Sequence, residues 1–381
     1  MNPIQAARAA GQQIWLDNLS RSLINEGQLA RHIDNGVAGV TTNPAIFHKA
    51  IAEGQDYRPA LDAMRAENLT AEQRYERLVI EDVQRACDVI RPVFDASQGD
   101  AGYVSLEVSP ALSDDEAGTV AAARRLSAAV ARDNLLVKIP ATAAGVRAIE
   151  TLTGEGLSIN VTLMFSLAHV DAVAGAYQRG LEKLAAAGGN LSKVRSVASV
   201  FLSRWDTLID KQLEEIGTEE ALDMRGIAGV ALARQAYQRY LARFHGAGFA
   251  PLAEKGARPQ SMLWASTGTK NPAYFDLMYV EPLIGPETVN TLPDATLAAF
   301  ADHGDVTENR IVEDVEADAA HIAALARLGL DMDVLGERLQ QDGLAQFATA
   351  FGKLLELTAL AISAATRNGA SRRRFIFRGS D

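Results

Sequence analysis

The sequence predicts an α/β fold, a (β/α)8 TIM barrel with additional helices, on three observations. Eight short apolar, β-branched runs are spread along 381 residues, helical patterns separate them, and the glycine fingerprint of the rival open sheet is out of place. Strands joined by helical crossovers run parallel and need covering on both faces, which suits a closed barrel or a doubly wound open sheet. The strand count favours the barrel. A dinucleotide-type sheet would want GxGxxG directly after a strand, and the nearest glycine-rich piece, His245-Gly246-Ala247-Gly248, follows a helix instead.

The elements follow in order. Ile14-Trp15-Leu16 is the first strand, ending at Asp17-Asn18, and Gly39-Val40-Thr41-Thr42 is the second, ending at Asn43-Pro44. Residues 22–34 between them read as one helix stopped by Gly36. Residues 50–94 are charged and helical, with Thr70 and Gln73 as a capping box and Tyr75, Leu78, Val79, Val83, Ala86 and Ile90 on one stripe. Residues 103–108 form a strand, and Ser113 with Glu116 reads as a capping box opening a helix to about 132. Leu135-Leu136-Val137-Lys138-Ile139 is the next strand, then Thr142 caps a helix ending at Gly154. Residues 157–161 are strand-like, Ser166 opens an alanine-rich helix, 194–201 is the sixth strand, and a helical region runs from 206 to about 245. Residues 261–265 and 277–280 supply the last two strands. The expected organisation is one domain over 1–381, with an N-terminal helix, a helical insertion at about 50–95 and a helical extension at about 314–381, its long segment at 333–364. That last segment could fold over the rim as a lid or serve a subunit contact. The terminal Arg372-Arg373-Arg374 reads as a solvated tail.

Composition narrows the function. Forty-eight per cent hydrophobic residues allow a large core, and 48 acidic against 37 basic residues, a net charge of −11, argue against a nucleic-acid surface. Cys87 is the single cysteine, so no intrachain disulfide forms, and the six scattered histidines lack ligand spacing. No metal and no cofactor are expected. Residues 1–13 lack a signal-peptide pattern and no stretch reaches membrane-spanning length, which makes a cytoplasmic protein without membrane or nucleic-acid partners the expectation. A homo-oligomer is compatible with all of this.

Polar residues gather at the strand ends. In a parallel barrel the C-terminal face carries the chemistry, and Asp17, Asn43, Glu107, Lys138, Asn160 with Thr162, and Ser199 with Arg204 stand at or just beyond six successive strand ends. One such residue is unremarkable; six around one rim form a constellation. Lys138 closes an apolar run, where a buried ammonium without a partner tends to lose its proton and become a nucleophilic amine. The plain alternative is a lysine that snorkels to the surface. With a ketone, the amine makes a carbinolamine and then an iminium, which withdraws electrons from the neighbouring carbon–carbon bond. Glu107 can supply the dehydration proton through a water held by Thr162, and Asp17 can take the proton from the substrate hydroxyl as the bond breaks. Either carboxylate could instead be satisfied by helix N-termini or by a surface arginine such as Arg21. Asn43 and Asn160 can bond small hydroxyls, although Asn43 before Pro44 is equally turn chemistry. Arg204 and the loop from Ser266 to Lys270 suggest an anion site, with Arg204–Asp206 pairing as the rival.

Trp15-Leu16-Asp17-Asn18-Leu19-Ser20-Arg21, Gly39 to Phe47, Val104 to Pro110, Val137-Lys138-Ile139-Pro140-Ala141-Thr142 and Ser158 to Leu163 resemble the signature blocks of the transaldolase family, in family order. With later blocks they span the chain from Trp15 to about Tyr279, and the insertion after Phe47 is similar to that of the longer bacterial subgroup. The resemblance implies a (β/α)8 barrel, circularly permuted relative to other class I aldolases, with its lysine on the fourth strand. It implies transfer of a dihydroxyacetone unit from sedoheptulose 7-phosphate to glyceraldehyde 3-phosphate, giving erythrose 4-phosphate and fructose 6-phosphate in the non-oxidative pentose phosphate pathway. Lys138 then falls on the Schiff-base lysine, Glu107 on the water-activating glutamate and Asp17 on the cleavage acid/base. Thr41, Asn43, Asn160, Thr162 and Ser199 match hydroxyl-binding positions, and Arg204 the phosphate arginine. A second phosphate arginine of many members has no equivalent; Lys270 beside Ser266 takes its place in the aligned loop. Related fructose 6-phosphate aldolases have a tyrosine where Phe201 stands, so phenylalanine fits the transferase. A fructose 6-phosphate aldolase-like lyase and a sugar-phosphate isomerase using Lys138 as a charged electrophile are the alternatives.

Overall fold

The computed structural model describes residues 1–373, with side chains through residue 359. A short helix α1 (Pro3–Ala9) precedes β1 (Gln12–Leu16), and α2 (Arg21–Asn25) and α3 (Gln28–Asp34) lead to β2 (Gly39–Val40). Next come α4 (Pro44–Glu53), α5 (Arg58–Ala63) and α6 (Ala71–Ala96), then β3 (Tyr103–Glu107), α7 (Glu116–Val130), β4 (Leu135–Pro140), α8 (Ala143–Gly154), β5 (Ile159–Met164), α9 (Leu167–Ala186) and β6 (Ser196–Phe201). The helices α10 (Ser203–Ile216), α11 (Glu219–Asp223), α12 (Ala228–Phe244) and α13 (Ala250–Ala253) precede β7 (Ser261–Ala265). After β8 (Thr288–Leu292) the chain is helical, as α14 (Asp294–His303), α15 (Val315–Arg327) and α16 (Met332–Arg373). The strands close a barrel in sequence order, each pair parallel, with β1 against β8 from Gln12↔Thr288 to Leu16↔Leu292.

Strands buried on both faces need continuous apolar runs, and β4 and β5 are buried at every position. The expected caps at Thr70 with Gln73, at Thr142 and at Ser166 are in place. Four expectations are corrected. The eighth strand is Thr288–Leu292 rather than 277–280, because burial alone does not distinguish a strand from an apolar plug. Leu277, Tyr279 and Val280 are buried in an irregular segment, where the Tyr279 hydroxyl donates to Asp206 Oδ2 (2.7 Å) and the Tyr279 carbonyl accepts from Asn290 Nδ2 of β8 (2.8 Å). The single helix expected at 22–34 breaks into α2 and α3 at Gly27, which adopts φ +68°. Asp115, not Ser113, caps α7 by accepting from the Gly118 N–H (2.9 Å). The region 206–245 starts earlier, at Ser203, and is interrupted by Gly217 at φ +71°.

The helix α16, for which the sequence left a lid and a subunit contact open, packs against α4, α5, α6 and β5 of its own chain. Arg374 lies outside the described residues, as do the side chains of Arg372 and Arg373. No described helix is long and apolar enough to cross a membrane.

Candidate active site

The alternation of β4 turns Lys138 inward, and parallel register sets it beside Glu107 of β3 and Asn160 of β5. Lys138 is 5% exposed. Its Nζ donates to the Thr42 carbonyl (3.0 Å) and stands 3.4 Å from Glu107 Oε2. Burial pushes the Glu107 carboxyl up to about 7; the Lys138 charge opposes this and the Asp17 charge adds to it. Asp17 is also raised by burial, opposed by Lys138 and by the Thr41 hydroxyl, which donates to its Oδ1 (2.7 Å). Two carboxyls near one ammonium thus sit in different settings, the condition for dividing acid and base roles.

A cavity of about 160 Å³ opens over Lys138. Asp17, Thr41, Asn43, Thr162, Ser199, Phe201, Arg204, Ser266 and Lys270 all line it, as the strand-end pattern anticipates. Glu107 and Asn160 do not. Glu107 meets the cavity only through Lys138, and Asn160 is spent on its neighbours, donating to Ser105 Oγ (2.9 Å) and accepting from Ser199 Oγ (2.7 Å). A direct hydroxyl contact expected of Asn160 therefore becomes support for Ser199. Asn43 serves both readings: it lines the cavity and caps α4, accepting from the Ile46 N–H (3.0 Å). Arg21 satisfies neither Asp17 nor Glu107, because it pairs with Asp82 (2.8 Å) and Glu81 (3.0 Å).

Arg204 enters from the first turn of α10, its guanidinium 5.3 Å from the Phe201 ring and 5.9 Å from the Phe165 ring. It does not pair with Asp206, whose carboxylate takes the Tyr279 hydroxyl and the Gly229 N–H. Its Nη1 is buried with no hydrogen-bond partner among the described residues, and burial lowers its pKa. A stacked, desolvated guanidinium with a free donor is suited to an anion. Ser266, at φ +55°, bonds Ser203 Oγ (2.8 Å) and so ties the ends of β6 and β7 together beside Arg204. Lys270 lines the same cavity.

Sequence reasoning missed Thr291, Pro293 and Phe347, all cavity residues. Thr291 was lost with the misplaced eighth strand, although Asn290-Thr291-Leu292-Pro293-Asp294 repeats the polar, proline-terminated ending of Thr41-Thr42-Asn43-Pro44. Its hydroxyl lies 2.5 Å from that of Thr41. Phe347 comes from α16, more than two hundred residues from the lysine it covers, and no local signal announces it.

Fold and site together define a parallel barrel protein with a buried lysine and two carboxyls at its strand ends, a class suited to covalent carbonyl chemistry. The model of the transaldolase/fructose-6-phosphate aldolase family matches residues 14–358, and the chain belongs to that family. It is 52% identical to a transaldolase of Thiobacillus denitrificans over 93% of this chain and 99% of the relative. A Neisseria gonorrhoeae transaldolase is 47% identical over the same shares, and a Streptomyces coelicolor relative called transaldolase 1 is 48% identical over 92% of this chain and 93% of its own.

Proposed function

We propose that the chain is a transaldolase, moving a dihydroxyacetone unit from sedoheptulose 7-phosphate to glyceraldehyde 3-phosphate and giving erythrose 4-phosphate and fructose 6-phosphate in the non-oxidative pentose phosphate pathway. The observation that carries it is the buried Lys138 Nζ, 3.4 Å from Glu107 Oε2, in a cavity that Asp17 also lines. The names of the relatives point the same way.

The amine attacks the ketone carbon, and the carbinolamine loses its hydroxyl as water when Glu107 hands over a proton, with Thr162 Oγ1 orienting the relaying water. The iminium then draws electrons from the adjacent carbon–carbon bond while Asp17 takes the proton of the β-hydroxyl. An aldose phosphate leaves and an enamine stays on Lys138. The acceptor aldehyde reverses these steps. The iminium is the electron sink, so the reading needs no cofactor. Arg204 and Lys270 hold the phosphate, which lets a chain of net charge −11 attract anionic sugars locally. Phe201 favours transfer over the lyase reading, because a phenyl ring has no proton to give the enamine. The same reading puts the enzyme in the cytoplasm with its sugar-phosphate substrates.

Borohydride reduction with fructose 6-phosphate tests this. Mass spectrometry should find the reduced three-carbon adduct on Lys138 and none in Lys138→Ala, whose turnover should fall by about 10⁴-fold or more. Turnover with no adduct on Lys138 would leave the isomerase reading in its place.

A further inference from the structure

We propose that Phe347 of α16 is a specificity-determining residue that keeps the lysine-bound three-carbon unit available for transfer by shielding its enamine carbon from bulk solvent. The proposal rests on the transaldolase reading of the site. Phe347 is 8% exposed, lines the cavity, and its ring centroid lies 5.7 Å from Lys138 Nζ. It is the one contribution of α16 to the cavity wall among the described residues.

The helix is held over the barrel by contacts made for that position. Gln340, two turns before Phe347 and so on the same face, donates from Nε2 to the Ala141 carbonyl (3.1 Å) beyond β4 and to the Leu163 carbonyl (3.0 Å) in β5. Leu163 is buried at φ +58°, where the β5–β6 register shifts, so Gln340 satisfies a carbonyl that the irregular strand turns out of the ladder. Between them Gly343 has no side chain; a Cβ there would stand 3.0 Å from Leu163 Cδ2 and 3.1 Å from Arg204 Nη1. Its absence lets the helix approach the site closely. Beyond Phe347, Phe351 packs edge-on against Tyr75 (5.4 Å), and Leu354 is fully buried. Anchors on both sides of Phe347 thus fix the height of its ring.

The chemistry supplies a reason for a ring at that place. After cleavage the enamine carbon has two fates. It attacks the acceptor aldehyde, or it takes a proton to become the iminium of dihydroxyacetone, whose C=N bond then adds water, frees the Lys138 amine and releases dihydroxyacetone. Protonation of the enamine carbon draws on a solvent proton, which closure by an apolar side chain suppresses, whereas the water held at Thr162 serves C=N hydrolysis in either fate. The ring face also favours a cation beneath it, which helps seat the iminium. Phe201, in the cavity wall with no acidic proton, and Phe347, from the lid, act as two dry walls.

The test compares the intact chain with Phe347→Leu and Phe347→Ala, using fructose 6-phosphate as donor. Transfer to erythrose 4-phosphate and release of free dihydroxyacetone without acceptor are both measured. Leucine retains most of the bulk and alanine opens the cavity. The ratio of release to transfer should rise roughly twofold in Phe347→Leu and fivefold or more in Phe347→Ala. A purely structural role would lower both rates together, so a wild-type ratio in both variants overturns the proposal. If Phe347→Ala fails to fold, a wild-type ratio in Phe347→Leu does the same. A wild-type chain that neither forms the Lys138 adduct nor transfers would bring down the transaldolase reading itself.

Discussion

The two arcs of the barrel rim that flank Lys138 are built differently. On the β8–β1–β2 side the polar groups are bonded to one another: the Thr291 and Thr41 hydroxyls lie 2.5 Å apart, and Thr41 donates to Asp17. On the β3–β5 side Asn160 is bonded to Ser105, but two groups around the lysine are left without a partner. Glu107 Oε2 and Thr162 Oγ1 are buried with no hydrogen-bond partner among the described residues, although Glu107 faces the lysine charge. A satisfied network holds a side chain in one geometry, whereas a buried polar atom without a partner is costly and is kept where a ligand or a transferring proton completes it. In the reaction proposed above, the first arc would aim one base at the substrate and the second would receive water and protons.

Separating the two carboxyls breaks this comparison most directly. Asp17→Asn should slow carbon–carbon cleavage by roughly 10³-fold, within the range for loss of a positioned acid or base, while the borohydride adduct still forms with the whole donor sugar. Glu107→Gln should instead slow adduct formation itself, by about 10²-fold. Equal effects on trapping in rapid-quench measurements would mean that the arcs do not divide the steps.

The anion end gives the next effect. Arg204→Ala should raise the KM for fructose 6-phosphate by about 10–100-fold with a smaller change in kcat, and Arg204→Lys should recover part of it, since an ammonium lacks the planar fork. Lys270→Ala should raise KM only severalfold, because an exposed ammonium acts as a screened point charge. If Lys270→Ala proves the worse of the two, the phosphate site is centred on the loop after β7 and not on α10.

The smallest effect is in pH dependence. A Glu107 pKa of about 7 means the proton-donating form is present below that value and is lost as pH rises through it. Single-turnover adduct formation should therefore fall about twofold from its low-pH level by pH 7 and go on declining above it, and the decline should vanish in Glu107→Gln. A flat wild-type profile between pH 6 and 9 would remove Glu107 as the acid.

The barrel and most of its site could be read along the chain because their information is local. Each strand is a short continuous apolar run, the rule for a strand buried on both faces, and its last residue marks the catalytic end of a parallel barrel. Asp17, Glu107, Lys138 and Arg204 were all recognisable as strand-end or post-strand residues, and matched the blocks of a known family. What the chain did not reveal is set by contacts across long separations. The eighth strand could not be told from the buried segment before it, since Tyr279 and Val280 meet every local criterion of a strand and only barrel closure against β1 selects Thr288–Leu292. The internal bonding of Asn160, which withdraws it from the cavity wall, depends on neighbours from β3 and β6. Phe347 over Lys138 depends on where α16 docks, which Gln340, Gly343 and the irregular turn at Leu163 decide together. Periodicity and strand-end chemistry are written in neighbouring residues, whereas the placement of Phe347 over the cavity and the different surroundings of the two carboxyls exist only once the chain has closed on itself.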